Sequence, residues 1–324
     1  MLAYRSNRLG DVGYFAIEEV DLPSPGASQV RIRIEAIGLG YVDTLLMMGK
    51  YQYQPELPFT PGGEIVGIVD CVGADTPQDL LGQRVATWQL GGGLAEFCVV
   101  DAKYIHSLPR GLSPQVTAAA MLDFLTAWYA LFHRGHLQAG EVVVVRGAAG
   151  GVGGAAVQIA ANASAHVVAI VSNQSKAEEA VRLGAHSVLV PSELPIRQQL
   201  GAYLPEGLAD IIVDPVCGEQ MHHYFRTLGK QGRHLVLGFT GGTIPSLPVN
   251  LPLLKNTSLV GVDVRYFHDS SPDKAGAAWS TIFQKFQHGE LVPPSTNLFS
   301  LRNAAEAIAL VATRERVGKV VVNT

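Results

Sequence analysis

The chain has 324 residues, enough for two domains, and its composition of 48% hydrophobic and 16% charged residues is that of a folded globular protein. The formal net charge of −4, without a block of basic residues, argues against binding to nucleic acid or to an anionic membrane. No apolar run reaches the roughly 18 residues of a membrane-spanning helix, the first residues lack the pattern of a signal peptide, and the three cysteines form no CxxC pair. We therefore expect a soluble cytoplasmic protein that acts on a small molecule.

The first third of the chain is predicted to be β-rich. Residues 30–35 alternate apolar and charged side chains, which is typical of a half-buried strand. Residues 62–73 are rich in β-branched side chains and are interrupted by glycine, a pattern that indicates bulges or close backbone approach in a barrel-like sheet. Residues 84–88 and 95–100 continue this β-rich pattern.

From about Ser113 onwards, helices and strands alternate. A helix is predicted over 117–131, and the valine run at 142–145 predicts a strand that is buried on both faces of a sheet. The elements expected after this strand are a helix at 152–163, a strand at 166–171, a helix at 175–183 and strands at 210–214 and 233–238. This alternation favours βαβ units and a parallel, doubly wound sheet.

The tail of the chain is mixed, with helices predicted at about 275–287 and 304–311 and a strand at 319–322. We expect this tail to return to the first domain, which leaves a cleft between the domains where a ligand can bind. The predicted domain bounds are 1–120 with 265–324 for the β-rich domain and 121–264 for the α/β domain.

The strongest local signal is the glycine-rich turn at residues 147–153, Gly-Ala-Ala-Gly-Gly-Val-Gly. It follows a predicted strand and opens a predicted helix, which is the context that a dinucleotide-binding fingerprint requires. Gly150 would let the backbone approach a pyrophosphate, and Gly153 would let the helix pack closely on the sheet. Free N–H groups at the helix start, those of Gly151 and Val152 among them, would face the phosphates. The alternative is a tight turn without a ligand.

The end of the second parallel strand predicts the choice of cofactor. NAD-dependent enzymes usually carry Asp or Glu there, about 20 residues after the turn, to bind the ribose hydroxyls. Residues 171–176 contain no acid. Ser172 can donate a hydrogen bond to a 2′-phosphate, and Lys176 can supply a positive charge. These residues favour NADPH, although Lys176 could also be an ordinary solvated lysine.

A metal site is not expected. Zinc needs four ligands in a structural site, or three and a water in a catalytic one, but Cys71, Cys98 and Cys217 are scattered and the ten histidines form no HExxH pattern. No GxSxG motif occurs, so there is no sign of a hydrolase nucleophile. Hydride transfer from a nicotinamide needs neither group when the acceptor is already electrophilic.

Several motifs together resemble the zinc-independent quinone oxidoreductases of the medium-chain dehydrogenase/reductase superfamily. They occur in the family's order at residues 43–44, 58–64, 147–153, 214–218, 238–242 and 317–321. The resemblance implies an α/β fold, with a GroES-like β-rich catalytic domain and a Rossmann domain built on a doubly wound parallel sheet. It also implies a homodimer. The implied activity is NADPH-dependent reduction of a quinone or an α,β-unsaturated ketone or aldehyde, without zinc.

The resemblance also implies roles for single residues. Tyr51 aligns with the tyrosine that donates a proton in similar 2-enoyl thioester reductases, and the family contacts the nicotinamide at Thr126 and Phe239. An alternative for Tyr51 is an aromatic side chain that packs within a loop. An alternative for Asp43 is a purely structural role in stabilising a loop. The residues expected to line the substrate pocket are Tyr41, Asp43 and Tyr53.

Other positions depart from related patterns. Zinc alcohol dehydrogenases share the fold, but their first catalytic cysteine and their histidine fall at Gly40 and Gly63. Members of the family often carry Asn at Gly40 and Tyr at Leu45, so the substrate pocket is expected to be more open and less polar. A tyrosine that often holds the 2′-phosphate is replaced by Pro191, which weakens the NADPH prediction without reversing it.

Two other functions are open at this point. One is reduction of a 2-enoyl thioester of the coenzyme A type, for which Lys50 and Arg265 are candidate phosphate-binding residues. The other is a catalytically silent NADPH-binding protein, either a sensor or a structural protein. That alternative is open because the changes at Gly40 and Leu45 could reflect a lost active site.

Overall fold

Two units make up the part of the chain that the computed structural model describes, which is residues 1–109, 111–313 and 318–324. Unit 1 contains Met1–Leu122, Pro272–His288 and Pro293–Thr324, and unit 2 contains Asp123–Ser271 and Gly289–Val292. The domain bounds given above stay a prediction. Val317, the first residue of the last family motif, lies outside the described residues.

The strands of the described residues, numbered along the chain, are β1 (Leu2–Arg5), β2 (Ala16–Glu19), β3 (Gln29–Leu39), β4 (Glu64–Val72), β5 (Arg84–Trp88), β6 (Phe97–Asp101), β7 (His106–Ser107), β8 (Val142–Arg146), β9 (His166–Ile170), β10 (Ser187–Leu189), β11 (Ala209–Asp214), β12 (Leu228–Val236), β13 (Ser258–Gly261), β14 (Thr296–Ser300) and β15 (Lys319–Asn323). The α-helices are α1 (Tyr41–Met47), α2 (Pro114–Trp128), α3 (Gly151–Asn162), α4 (Ala177–Arg182), α5 (Ile196–Gly201), α6 (Met221–Phe225), α7 (Asn250–Lys255), α8 (Val264–Ser270), α9 (Pro272–Gln287) and α10 (Ala304–Ala312).

Unit 1 is built on a sheet with the strand order β14-β15-β3-β4-β5-β7, in which β6 also pairs with β3. These pairs are antiparallel except β14 with β15. In β3, the side chains of Val30, Ile32 and Ile34 are buried and alternate with Arg31 and Arg33, so the alternation in the sequence places one face on the core. The register shifts between β3 and β4 are the irregularities that the glycine-interrupted pattern predicts. The predicted β-rich first domain is confirmed.

Unit 2 contains a parallel sheet with the strand order β10-β9-β8-β11-β12-β13. Counted from β8, this order is 3-2-1-4-5-6, which is that of the Rossmann fold, where ligands bind at the carboxyl ends of the strands at the point where the order reverses. In this sheet that point lies between β8 and β11. All residues of β8 are buried, as its run of valines predicts. The predicted doubly wound parallel sheet is confirmed.

Helix α2 continues as a π-helical turn, Tyr129–Arg134, and so extends the predicted helix at both ends. Among the described residues, Pro114–Arg134 is the one helical stretch that is long and apolar enough to cross a membrane, and 72% of its most apolar window is buried inside the protein. Burial of this kind is typical of a core helix in a globular protein.

Candidate active site

The glycine turn between β8 and α3 has the geometry of a phosphate-binding loop. Gly150 caps α3 in an extended conformation with φ −85° and ψ 176°, and the N–H of Gly154 donates to the Gly150 carbonyl at 2.7 Å. The N–H groups of Gly151, Val152 and Gly153 therefore have no acceptor inside the helix. Gly150 and Gly151 are exposed and Val152 is half-buried, so the N–H groups of Gly151 and Val152, with the positive end of the helix dipole, can bind a phosphate.

Close packing explains why Gly153 is a glycine. A Cβ at this position would lie 2.1 Å from the carbonyl oxygen of Gly147 and 3.1 Å from the Cα of Ala148, and both are backbone atoms. At Gly151 the obstacle is a side chain, because a Cβ there would lie 2.1 Å from a carboxylate oxygen of Asp123. The start of α3 thus lies against the turn, as a dinucleotide-binding fingerprint requires, and the turn fits the phosphates of a dinucleotide.

The two residues expected at the 2′-phosphate lie together just beyond the carboxyl end of β9. The Nζ of Lys176 donates to the Oγ of Ser172 over 3.3 Å. The side chain of Asn173 accepts the backbone N–H of Lys176 at 3.2 Å and so shapes the turn between them. Ser172 is exposed and Lys176 is half-buried. A hydroxyl and an ammonium group at this point can bind a phosphate together.

A buried charged network lies near the carboxyl ends of the neighbouring strands β8, β11 and β12. Arg146 and Asp214 form an ion pair with 2.7 Å between Nη1 and Oδ2, and their side chains are 8% and 0% exposed. The Nε2 of His234, which is also fully buried, lies 2.9 Å from the same Oδ2. Burial alone would raise the pKa of Asp214, but the hydrogen bond with His234 and the charge of Arg146 outweigh it and lower the pKa to about 2.

Asp214 also orders the loop after β11. Its Oδ1 accepts the N–H groups of Val216 at 3.0 Å and Cys217 at 2.7 Å. Arg146 donates to the carbonyl of Cys217 at 2.8 Å. The carbonyl of Val216 in turn accepts the N–H of Gly241 at 2.9 Å. The loop after β11 therefore supports the loop after β12.

The two residues expected at the nicotinamide differ in exposure. Phe239 lies in the loop after β12 and is 43% exposed, whereas Thr126 lies in α2 and is 7% exposed. An exposed aromatic ring can stack on a planar ligand, and a hydroxyl can make a hydrogen bond, but the contact of either residue with nicotinamide stays a prediction.

In unit 1, Asp43 holds the loops around α1. It is 5% exposed, its Oδ2 accepts the N–H of Gly40 at 2.8 Å, and its Oδ1 accepts the N–H of Gly62 at 3.0 Å. Burial raises the pKa of Asp43, while the hydrogen bonds from Gly40 and Gly62 and the charge of Lys319 oppose the rise. This geometry favours the loop-stabilising alternative, and a direct contact of Asp43 with a substrate stays a prediction.

The three tyrosines predicted at the substrate site also belong to unit 1. Tyr41 is the first residue of α1 and is 48% exposed, and Tyr53 is 41% exposed. Tyr51 is half-buried and packs against the apolar core of the unit. Packing against the core restricts the positions of the ring, and a proton donor has to be held within hydrogen-bond reach of its acceptor. The roles of the three tyrosines stay predictions.

The residues at the zinc-ligand positions of the related alcohol dehydrogenases do not fit a zinc ion. Gly40 offers no side chain. Gly63 is buried, and a Cβ there would lie 2.3 Å from the carbonyl oxygen of Gln89 and 3.2 Å from the Nε1 of Trp88. Any side chain at Gly63 would therefore displace the backbone. Within the described ranges of the chain, no group of three or more His, Cys, Asp or Glu residues could hold a metal ion.

A buried ion pair lies beside Gly40. The Nζ of Lys319 is 2.7 Å from the Oε1 of Glu64, with side chains 3% and 2% exposed, and the Oε2 of Glu64 accepts the N–H of Leu122 at 2.8 Å. A Cβ at Gly40 would lie 3.7 Å from the Oε1 and 3.8 Å from the Nζ. The pair thus joins β4, β15 and the part of α2 that belongs to unit 1.

Sequence reasoning missed both buried networks. The available signal was a charged residue within a strand that otherwise reads as buried, such as Arg146 after the valine run, because such a charge is rarely buried without a partner. That signal indicates that a partner exists without identifying it.

Two family models match the chain. The model described as "Alcohol dehydrogenase GroES-like domain" matches residues 26–110, and the model described as "Zinc-binding dehydrogenase" matches residues 151–277. The first match covers strands β3 to β7 of unit 1. The second begins at α3 and includes strands β9 to β13 of unit 2.

Relatives and solved structures agree with these matches. Quinone oxidoreductase-like protein 2 of Bos taurus is 33% identical over 308 residues, which are 95% of this chain and 88% of that protein. A solved mycobacterial quinone oxidoreductase is 26% identical, with a TM-score of 0.89 and 100% of both chains covered. A mycobacterial protein solved in complex with NADPH is 25% identical, with a TM-score of 0.88 and 100% of both chains covered. The GroES-like and Rossmann domains predicted from the sequence are thereby confirmed, and the chain belongs to the quinone oxidoreductase family of the medium-chain dehydrogenase/reductase superfamily, as an oxidoreductase of that type.

Proposed function

We propose that this oxidoreductase uses NADPH to reduce a quinone or an α,β-unsaturated carbonyl compound by hydride transfer, without zinc. The observation that carries the proposal is the glycine turn with Ser172 and Lys176 beyond the neighbouring strand. Together these groups offer donors for a pyrophosphate and for a 2′-phosphate on the side of one sheet where the strands have their carboxyl ends. The likeness to a protein that was solved with NADPH supports this cofactor.

The bound NADPH would supply the hydride, and the protein would orient the reactants and deliver a proton. Thr126 and Phe239 would lie against the nicotinamide. The residues that would bind its phosphates are Gly150, Gly151, Val152 and Gly153 for the pyrophosphate and Ser172 and Lys176 for the 2′-phosphate.

Lys176→Gln tests the preference for NADPH. A charge pair at the protein surface contributes up to about 1 kcal/mol, so we expect NADPH binding to weaken by up to about fivefold while NADH binding stays the same. Lys230→Gln is the matched control, because Lys230 is an exposed lysine of the same unit in β12. Equal loss of NADPH and NADH affinity in the Lys176 variant would contradict the 2′-phosphate role.

Tyr51 is the proposed proton donor. Reduction of an enone adds a hydride to the β carbon and a proton to the α carbon, and a phenol can supply that proton as a general acid. Tyr41 and Tyr53 would line the substrate pocket, and Asp43 would hold the loop that carries Tyr41. Tyr51→Phe is expected to lower kcat on an enone by about 100-fold, with the exposed Tyr14→Phe as control. An unchanged kcat in Tyr51→Phe would mean that water, rather than Tyr51, donates the proton.

A comparison of acceptors tests the reaction class. Chelator-treated protein is mixed with NADPH and, in parallel, an ortho-quinone, a simple enone or crotonyl-coenzyme A, with NADH as the control cofactor. Turnover of the quinone or the enone with a preference for NADPH is the expected result. Turnover of the thioester alone would assign the protein to the 2-enoyl thioester reductases. NADPH binding without any turnover would favour the catalytically silent alternative.

A homodimer in the cytoplasm is part of the same proposal. Strand β13 ends the parallel sheet, and the segment before it exposes apolar side chains, with Val249 89%, Leu253 81% and Leu254 72% exposed. An unpaired edge strand beside apolar side chains favours pairing with a second copy. Leu253→Glu with Leu254→Glu is expected to yield monomers in light scattering, whereas Val181→Glu, at another exposed apolar position, is not.

A further inference from the structure

We infer that Arg146, Asp214 and His234 are positioning residues that hold the loop carrying Phe239 in the place where it can orient the nicotinamide. This inference rests on the proposed NADPH-dependent function and names three residues that act through the backbone rather than on the substrate. The three come from the neighbouring strands β8, β11 and β12. In a Rossmann sheet a dinucleotide binds beyond the carboxyl ends of the strands.

Asp214 has all of its strong acceptor sites in use. Its Oδ2 faces Nη1 of Arg146 at 2.7 Å and Nε2 of His234 at 2.9 Å. Its Oδ1 accepts the N–H groups of Val216 and Cys217. A carboxylate can take donors on both oxygens at once, whereas a neutral side chain of the same shape cannot. The charge at Asp214 therefore sets the conformation of the loop after β11.

The loop after β11 contacts both parts of the cofactor site within unit 2. On one side it meets the glycine turn, because a Cβ at Gly147 would lie 3.2 Å from Cγ2 of Val216. On the other side, the Pro215 carbonyl accepts the hydroxyl of Thr240 at 3.0 Å, next to Phe239. The backbone approach is close, since a Cβ at Gly241 would lie 2.7 Å from the carbonyl oxygen of Val216. A shift of the first loop must therefore move the second.

The make-up of the network suits positioning better than stability. A buried ion pair contributes little net stability compared with apolar side chains of similar volume, because both charges lose their hydration. His234 also leaves its Nδ1 buried without a hydrogen-bond partner among the described residues. Its Nε2–H is needed as a donor, since both oxygens of Asp214 accept. We therefore assign the network to holding the loop after β11 in one conformation.

Asp214→Asn is the isosteric test. The amide would place an NH₂ group against the donors of Arg146 and His234, or against the two backbone N–H groups, so the loop must change. A displacement near 1 Å at the nicotinamide can cost on the order of 100-fold in rate. We expect kcat with an enone to fall by about 10- to 100-fold, and the emission of bound NADPH to change because the nicotinamide lies differently.

Three further variants separate positioning from loss of folding. His234→Leu removes the donor to Asp214 and should reduce kcat, whereas His234→Gln keeps an N–H donor and should restore most of it. Asp210→Asn is the matched control, because Asp210 lies at the opposite end of β11 and its carboxylate accepts the N–H of Val142 at 2.8 Å. It should leave kcat unchanged. The loop after β11 meets the glycine turn through side-chain atoms of Val216 and Pro215, whereas a hydrogen bond joins it to the loop of Phe239. Affinity for 2′,5′-ADP, which lacks the nicotinamide, should therefore stay within about twofold in every variant.

The outcomes distinguish this inference from the proposed function. Asp214→Asn with the wild-type kcat and the wild-type emission of bound NADPH would overturn the inference alone. Loss of 2′,5′-ADP affinity in parallel with kcat would overturn it too, because the effect would then be general. A wild-type protein that binds NADPH but reduces no acceptor would refute the proposed function, and the emission of NADPH in Asp214→Asn would still decide the positioning role. A wild-type protein that binds no nicotinamide nucleotide would refute both.

Discussion

Replacing Gly153 with alanine tests the geometry of the glycine turn. The added Cβ would lie 2.1 Å from the carbonyl oxygen of Gly147, whereas real Cβ atoms essentially never come closer than 3.0 Å to such a neighbour. The start of α3 must therefore move by about 0.9 Å, the difference between 3.0 and 2.1 Å. No rotamer relieves this contact, because both Gly147 and Ala148 present backbone atoms.

The consequences differ for stability and for binding. Overpacking costs about 1–3 kcal/mol, and the better helix propensity of alanine returns about 1 kcal/mol. The net loss of unfolding free energy is therefore at most about 2 kcal/mol. Binding suffers more, because the displaced N–H groups at the start of α3 would lose at least one hydrogen bond to a charged phosphate. At about 1.5–3 kcal/mol for such a bond, the affinity for NADPH should fall by about 10- to 100-fold.

Fluorescence titration with NADPH, together with thermal unfolding, measures both effects. Gly154→Ala is the matched control in the next residue of the same helix. Its Cβ would meet the tip of the Leu183 side chain at 3.0 Å and the carbonyl oxygen of Ala148 at 3.5 Å, so a rotation of Leu183 makes room. We expect the control to bind NADPH within about threefold of the wild type. If Gly153→Ala bound NADPH as tightly as Gly154→Ala, close packing at Gly153 would not be needed for cofactor binding.

Three other predictions concern the remaining features. Gly63→His should lower the thermal unfolding midpoint without creating zinc affinity, because its Cβ would lie 2.3 Å from the carbonyl oxygen of Gln89. Binding of one zinc ion per chain, measured by calorimetry, would contradict this. Lys319→Met removes the 2.7 Å ion pair of the buried Glu64, so the free energy of unfolding measured with denaturant should fall by about 3–5 kcal/mol. A second change, Glu64→Gln, should partly restore it, and wild-type stability of the single variant would contradict the prediction. Because the pKa of Asp214 is lowered from 3.8 to about 2, its ionised form stabilises the fold above about pH 4, and this contribution of about 2 kcal/mol is lost as the pH falls through 2. Urea unfolding of Asp214→Asn should therefore depend less on pH between about 4 and 2 than that of the wild type, and identical curves would exclude the effect.

Much of the fold could be predicted because its signals are local. The valine run of β8 and the alternation in β3 each predict, within a few residues, which side chains are buried. Strands β10 and β13 were missed because they have only three and four residues. They also form the two edges of the sheet, where strands are often short and need not show a regular pattern of apolar side chains. Their place depends on pairing with β9 and β12, which is tertiary information.

The candidate site divides in the same way. The glycine turn is a contiguous motif, and its geometry follows from packing within seven residues. By contrast, Arg146 is 68 residues from Asp214, and Asp214 is 20 residues from His234. Only the parallel register of β8, β11 and β12 brings these side chains together. A pattern read along the chain cannot identify such partners, although a charge in an apolar strand indicates that one is needed.

Deuterium labelling follows the proposed transfer of hydride from the nicotinamide of NADPH to an organic acceptor. NADPH that carries deuterium on one face of nicotinamide C4, and then on the other, is used to reduce a simple enone, and the product is examined by mass spectrometry and NMR. We expect one labelled form to place a single deuterium on the β carbon of the product and the other to place none. A reduced product without deuterium from either form, or with deuterium on the α carbon, would contradict it.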